Sequence, residues 1–315
     1  FRYAELALAA YARLDVRLIS PSPLRSVGLS SPHAFRFAEE WIVVDQFEHT
    51  TEPYWTYDPE SGAPSGPHSE SNGCSATVFE NVLTHERVLA IRGTDDIHDV
   101  ATDVISVAAL GSTLNQGQYQ SLRAKVQDWV ASGVLPARFA VTGHSLGGFL
   151  ATGLALEFPQ LVEHAYLYNA PGVGGLTGRT SIAEIARAYH ISGASVDPAK
   201  FTNLRAKPGT SLVAGLGEHP SPPILVEGED HGGWLVGTNN HSMKYLVDSL
   251  AIHDAFERLE GGASVGLASI GRIVRGSSDR ELGKLEGALD ALRTTVLGGA
   301  SVRTPEENRD ALYEN

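Results

Sequence analysis

A serine between two glycines is the first place in this chain where residue types and spacing indicate chemistry. Gly143, Ser145 and Gly147 form a G-x-S-x-G pattern within the string GHSLGG. A serine in this pattern stands on a sharp strand-to-helix turn, where bulky neighbours would keep strand and helix apart. The helix that follows points its first N–H groups at the site where negative charge develops. Ser145 is therefore predicted to be a nucleophile.

A serine hydroxyl becomes an effective nucleophile only when a base takes its proton. With this elbow, the base is expected to be a histidine later in the chain. His241 is preferred because it follows the last predicted strand and directly precedes a predicted helix. His231, in a glycine-rich loop, is the second choice. The other candidates are His164, His190, His219 and His253.

Acyl transfer also needs two donors for the oxyanion. One is the backbone N–H of the residue after the nucleophile, which is Leu146. The second is expected from a loop that follows an earlier strand. Thr94 stands at the end of such a strand, and it offers both its N–H and its hydroxyl. Thr94 and Leu146 are thus the predicted oxyanion hole.

The segments around these residues alternate between the strand and helix patterns, which is typical of an α/β fold with a mostly parallel sheet. Apolar runs rich in β-branched and aromatic residues predict strands at 41–47, 74–81, 87–92, 139–141, 165–169, 201–206 and 223–226. Helical spacing predicts helices near 1–20, at 120–129, from 149, at 181–190 and after His241. Segments 21–32 and 50–72, rich in serine, proline and glycine, are predicted to be loops.

Two parts are expected in the chain. Residues 1–258 carry the α/β pattern and the candidate site. Residues 259–315 begin Gly/Ser/Arg-rich and continue with leucines at helical spacing, which predicts a mostly helical C-terminal extension or linker.

Composition limits the partners. The chain has 315 residues and a net charge of −13, and such an acidic surface argues against binding nucleic acid. Cys74 is the single cysteine, so an internal disulfide is excluded. The sequence contains neither an apolar run long enough to span a bilayer nor a visible signal peptide. The oligomeric state is open.

The segment after Thr94 has two notable features. Its acidic residues suggest a weak structural Ca²⁺ site, although a solvated helix start explains them better; they are Asp95, Asp96, Asp99 and Asp103. Residues 104–110 are small and apolar, which fits either buried core or a mobile cover over an acyl site. No other cofactor or metal is predicted.

Three motifs together resemble the class 3 (fungal-type) lipase family, a branch of the α/β hydrolases. They are Ala90-Ile91-Arg92-Gly93-Thr94, GHSLGG, and Asn239-Asn240-His241-Ser242. The resemblance covers roughly residues 73–257 and extends to lipase-type domains of large secreted bacterial proteins. It implies an α/β-hydrolase fold, Ser145 as nucleophile, His241 as base, Thr94 and Leu146 as oxyanion donors, and a lid after Thr94.

The catalytic acid departs from the family pattern. The family places an aspartate in the loop after the strand that corresponds to 201–206, but residues 207–211 here contain no acid. Asp230 is the preferred candidate, with Asp197 as the alternative although it precedes that strand. Glu227 and Asp248 are further candidates. A dyad without the acid remains open, since the acid orients the imidazole without accepting the proton.

The function predicted from these features is that of a serine carboxylic-ester hydrolase of lipase, esterase or phospholipase A type. It would work through an acyl-enzyme without a cofactor. Its partner would be a lipid or another ester, with contact to a lipid interface. The alternatives are a polyester or amide hydrolase and an inactive binding module with the same fold. A secreted or extracellular location is expected, and the bacterial cytoplasm stays open.

Overall fold

The computed structural model describes residues 1–50, 54–57, 61, 64–68, 72–93, 113–172, 197–207, 214, 217–227, 241–259, 310 and 313. Their strands are β1 (Trp41–Glu48), β2 (Tyr54–Tyr57), β3 (Pro64–His68), β4 (Ser75–Asn81), β5 (Arg87–Ile91), β6 (Phe139–His144), β7 (Val162–Tyr168), β8 (Phe201–Lys207) and β9 (Pro223–Glu227). Seven of these described strands form one sheet in the order β1-β4-β5-β6-β7-β8-β9, and β2 pairs with β3 separately.

The direction of the strands decides where a site can form. β1, β4 and β5 are antiparallel neighbours, whereas β5 to β9 run parallel to one another. The carboxyl ends of five strands therefore lie along the same edge of the sheet. In such sheets, ligands bind beyond that edge. The predicted hairpin of β4 and β5 and the mostly parallel sheet are both confirmed.

Helices cover both faces of this sheet. They are α1 (Arg2–Ala9), α2 (Pro21–Ser26), α3 (Ser31–Glu40), α4 (Thr113–Ala131), α5 (Leu146–Glu157) and α6 (Met243–Leu259). Successive residues of a strand point to opposite faces. On β5, Val88 and Ala90 accordingly join the apolar cluster with α1, α3 and α6, while Leu89 and Ile91 join the cluster with α4 and α5. The predicted α/β-hydrolase architecture is confirmed.

Two segments predicted to be loops contain regular structure. Residues 21–32 include α2 and the start of α3, where the Ser30 side chain caps the helix by accepting a bond from the His33 N–H. Proline is tolerated in the first turn of a helix, and serine is a favoured cap, so these residues mark helix starts. Segment 50–72 contains the antiparallel pair of β2 and β3. Helix α4 is also longer than the predicted 120–129.

Three residues of the predicted C-terminal extension lie within the described part: Leu259, which ends α6, and then Asp310 and Tyr313. Tyr313 is buried, stacks on His33 with 4.0 Å between ring centroids, and donates a 2.5 Å hydrogen bond to Asp248 on α6. Tyr313 thus packs on the α/β core. The boundary predicted at residue 258 stays a prediction. Among the described helices, none is long and apolar enough to cross a membrane.

Candidate active site

Ser145 occupies the strained turn that the sequence predicted. It links β6 directly to α5 with φ 54° and ψ −126°, a backbone region that side-chain-bearing residues rarely adopt. The close approach of the two elements explains both glycines of the motif. A Cβ on Gly147 would collide with the Ile91 carbonyl of β5, and a Cβ on Gly143 would collide with the Gly147 backbone. Strand and helix pack together only because these positions have no side chain.

His241 is brought to Ser145 across 96 residues of sequence. It stands just before α6, and its Nε2 lies 2.8 Å from the Ser145 Oγ. Both side chains are buried. Nε2 can accept the hydroxyl proton in this arrangement when the imidazole is neutral and carries its proton on Nδ1. The distance is within the range that a general base requires.

The carboxyl end of β5 lies beside the nucleophile. A Cβ built on Gly93 would come within 2.6 Å of the His144 carbonyl and 3.3 Å of the Ser145 Cβ. Leu146 is the first residue of α5, and the first N–H groups of a helix have no carbonyl partner inside it. The structure thus brings Leu146 and Gly93 to the nucleophile. Thr94, the next residue after Gly93, lies outside the described residues.

The backbone carbonyl of His241 is held by two side chains. The Nε2 of His144 lies 2.7 Å from this oxygen, and the Nδ2 of Asn169 donates to it at 3.3 Å. The Nδ1 of His144 in turn lies 2.8 Å from the Tyr11 hydroxyl. We call these three residues, Tyr11, His144 and Asn169, the carbonyl clamp, because together they hold the His241 carbonyl.

Burial determines the charge state of the two histidines. Removal from water lowers the pKa of His144 to about 4, against a smaller opposing effect of its bond to the His241 carbonyl. Burial also places the pKa of His241 well below its usual value, and the neighbouring His144 lowers it further. Both imidazoles are therefore neutral near pH 7. A neutral His241 is the form that can act as a base.

Acid is expected to destabilise the fold through His144. A histidine whose pKa is depressed by folding takes up its proton more readily when unfolded, so its contribution to stability is lost as pH falls below about 6.5. For a pKa of about 4, this group should cost about 3 kcal/mol of unfolding free energy between pH 7 and pH 4.

Urea unfolding of the wild type and of His144→Gln at both pH values measures this loss. The substitution removes the titration of His144 and the lowering effect of His144 on the pKa of His241, so the wild type should lose more stability than the variant. An equal loss in both would contradict the buried, neutral His144.

Replacing Gly93 with alanine is expected to damage fold and site together. The new Cβ would lie 2.5 Å from the Tyr11 hydroxyl and 2.6 Å from the His144 carbonyl, and backbone cannot yield cheaply there. Overpacking of this kind costs about 1–3 kcal/mol. Thermal melting and an activity assay measure both effects.

Gly117→Ala is the matched control for that substitution. Gly117 lies in α4, and a Cβ there would meet nothing within 4 Å. Alanine should stabilise this helix by about 0.5–1 kcal/mol. A Gly93→Ala protein as stable and active as Gly117→Ala would show that the close approach is unimportant.

Asp197, the alternative catalytic acid, lies away from this site. It caps the 3₁₀ helix Pro198–Lys200 by accepting a 3.1 Å bond from the Ala199 N–H, and it is exposed. This position precedes β8, at the amino end of the parallel strands, whereas Ser145 follows β6 at the carboxyl end. A strand of seven residues separates the two edges by roughly 20 Å. The position argues against Asp197 as the partner of His241.

Three other candidate histidines have different neighbours. His164 on β7 bonds the Thr202 hydroxyl, His219 contacts Asn203 and Arg205, and His253 lies within α6. Several predictions fall outside the described residues: Asp230 as the acid, His190, His231, the acidic run Asp95, Asp96, Asp99 and Asp103, and the cover expected after Thr94. In the part of the chain that is described, no group of three or more His, Cys, Asp or Glu side chains is arranged to hold a metal.

The sequence interpretation missed the carbonyl clamp. His144 stands inside GHSLGG and Asn169 directly after β7, so their positions at strand ends were a usable signal. Tyr11 follows α1 and meets His144 across 133 residues of sequence, without any local pattern that predicts the contact.

No protein-family model matches the chain, and no curated protein matches it by sequence. Solved structures do match. The Lip2 lipase from Yarrowia lipolytica is 18% identical, covers 76% of this chain and 82% of its own, and gives a TM-score of 0.43. Lipase II from Rhizopus niveus is 17% identical, covers 68% of this chain and 71% of its own, and gives a TM-score of 0.37. A triacylglycerol lipase from Penicillium expansum is 15% identical, covers 72% of this chain and 78% of its own, and gives a TM-score of 0.34. The chain is similar to these fungal lipases, at identities and TM-scores too low to bear on function or substrate.

Proposed function

We propose that this protein is a serine carboxylic-ester hydrolase that works through an acyl-enzyme. The observation that carries the proposal is the 2.8 Å contact between the His241 Nε2 and the Ser145 Oγ on a strained strand-to-helix turn. A buried serine and a neutral imidazole at this distance form a nucleophile and its base. The helix start at Leu146 supplies N–H groups for the developing oxyanion.

The first half-reaction acylates Ser145. The His241 Nε2 takes the hydroxyl proton while the Oγ attacks the ester carbonyl carbon, and the oxyanion forms opposite the Leu146 N–H. Collapse of this intermediate breaks the bond to the alcohol oxygen, and the imidazolium returns its proton to the leaving alcohol. In the second half-reaction, water takes the place of the alcohol, and Ser145 is released with a carboxylic acid.

Two further parts of the site belong to this proposal. Thr94, next in sequence to Gly93, is proposed as the second oxyanion donor, since Gly93 lies against Ser145. Asp230 is proposed as the acid that orients His241, because it follows β9, whose carboxyl end lies on the same edge of the sheet as Ser145. The resemblance of the three sequence motifs to class 3 lipases makes lipid esters the first substrates to test.

Reaction with a fluorophosphonate tests the nucleophile independently of the substrate. The wild type should be labelled and Ser145→Ala should not. A panel of p-nitrophenyl esters, triglycerides and phospholipids then identifies the ester class. Hydrolysis of amides or polyesters in place of these esters would support the alternative function, that of an amide or polyester hydrolase. A wild type that neither reacts with the probe nor hydrolyses any substrate would be a binding module with this fold.

A further inference from the structure

The base of this site is fixed by its main chain as well as by its side chain. The His241 carbonyl accepts from the His144 Nε2 at 2.7 Å and from the Asn169 Nδ2 at 3.3 Å. Asn169 is itself anchored, because its Oδ1 accepts the Ala206 N–H at 2.9 Å and its own N–H donates to the Leu204 carbonyl. The base is thus tied to the ends of β6 and β7 and, through Asn169, to β8.

The chemistry of these atoms fixes the tautomer of His144. A carbonyl oxygen only accepts, so the His144 Nε2 must carry the proton. In a neutral imidazole the Nδ1 is then an acceptor, and the Tyr11 hydroxyl must donate to it. Without this donor, the proton of His144 can move to Nδ1, which would turn the lone pair of Nε2 toward the carbonyl. The Tyr11 hydroxyl therefore selects the tautomer that holds His241.

We propose that Tyr11 and His144 are positioning residues: the Tyr11 hydroxyl orients His144, and the His144 Nε2–H holds the His241 carbonyl so that the base faces the Ser145 hydroxyl. This inference rests on the proposed hydrolase function. In the proposed reaction, neither Tyr11 nor His144 contacts the reacting atoms through its side chain. A base displaced by about 1 Å can lower the rate about 100-fold, so control of the His241 main chain acts directly on catalysis.

The surroundings of Tyr11 agree with a positioning role. Tyr11 lies just beyond α1 and is half-buried, and its hydroxyl lies against Gly93 at the end of β5. His144 is 6% exposed, and its ring centroid lies 4.8 Å from that of His241. The hydroxyl therefore contacts the strand that leads to the predicted oxyanion residue as well as the histidine next to the nucleophile. Tyr11, Gly93 and His144 thus bring three separate segments of the chain together at the site.

Two amide substitutions at His144 separate the positioning role from simple packing. A glutamine places its amide nitrogen three bonds from Cβ, as the imidazole places Nε2, so His144→Gln keeps a donor for the His241 carbonyl. An asparagine places its amide nitrogen two bonds from Cβ, at the site of Nδ1, and leaves that carbonyl without this donor. We expect His144→Gln to keep kcat within about threefold and His144→Asn to lose about 10-fold or more, with KM little changed in both.

Tyr11→Phe removes one oxygen and should lower kcat about 10-fold in the wild-type background. It should have almost no effect in the His144→Gln background, because glutamine has no imidazole tautomer to select. Tyr3→Phe is the matched control: the Tyr3 hydroxyl donates to Glu86 and has no part in the clamp. It should leave kcat unchanged.

The experiment measures kcat and KM on a p-nitrophenyl ester, the rate of fluorophosphonate labelling, and thermal stability for each variant. The proposal is supported if kcat and labelling fall together in His144→Asn and Tyr11→Phe while the proteins stay folded. It is overturned if Tyr11→Phe reacts as fast as Tyr3→Phe, if both amide variants behave alike, or if Tyr11→Phe has the same effect in both backgrounds. A wild type that is not labelled at all would instead remove the proposed function, and this inference with it.

Discussion

Ser145→Ala is expected to abolish ester hydrolysis and fluorophosphonate labelling while the fold stays intact. The hydroxyl is the only group removed, and its described partner is the His241 Nε2 at 2.8 Å. Loss of a catalytic serine typically lowers kcat on the order of 10⁶-fold. Alanine also keeps the methyl-sized Cβ that the turn already accommodates. The circular dichroism spectrum should therefore match that of the wild type. The free energy of unfolding, measured by thermal melting, should agree within about 1 kcal/mol.

Ser145→Gly is the informative control for this substitution. At φ 54° and ψ −126°, serine and alanine share the same backbone strain, and glycine does not. The glycine variant should be equally inactive but more stable than Ser145→Ala, by about 1 kcal/mol. Turnover near the wild-type rate on a short-chain ester by either variant would show that Ser145 is not the nucleophile. Equal stability of the two variants would show that the turn is unstrained.

Local patterns were sufficient to predict the strand-turn-helix at Ser145 and the fold class. The G-x-S-x-G string, the apolar run before it and the helical spacing after it all lie within about 20 residues. One short segment therefore contains every feature that predicts the nucleophile turn. The alternation of strands and helices likewise predicts a parallel sheet with covered faces. The preference for His241 needed only its place before α6. These predictions could be made from local sequence because each depends on neighbours in the chain.

Other features depend on contacts that sequence spacing does not encode. The bond between Tyr11 and His144 joins the start of the chain to the elbow, and Asn169 takes its role only because β7 ends beside β8. The position of Asp197 also depends on such contacts, because the direction of β8 decides at which end of the parallel strands Asp197 lies. Ser30 and Pro32 indicated a loop, although they begin α3, because cap and first-turn residues are also common in turns.

His241→Ala is expected to cost nearly as much activity as the loss of Ser145, on the order of 10⁴-fold or more in kcat, because nucleophile and base act as a unit. His164→Ala is the matched control, since His164 bonds Thr202 on the neighbouring strand. It should leave the rate unchanged. Full activity of His241→Ala would mean that another histidine is the base.

The pH profile of the wild type gives a second test of His241. Only the neutral imidazole accepts the hydroxyl proton, and burial together with the neighbouring His144 places its pKa well below the usual value. As pH falls, kcat/KM should therefore persist below about 6.5, where an ordinary histidine is already half protonated, and decline only at lower pH. Circular dichroism at each pH separates loss of activity from unfolding. An acid limb at or above pH 6.5 in a folded protein would mean that His241 is hydrated in the working enzyme, or that the base is a different, exposed group.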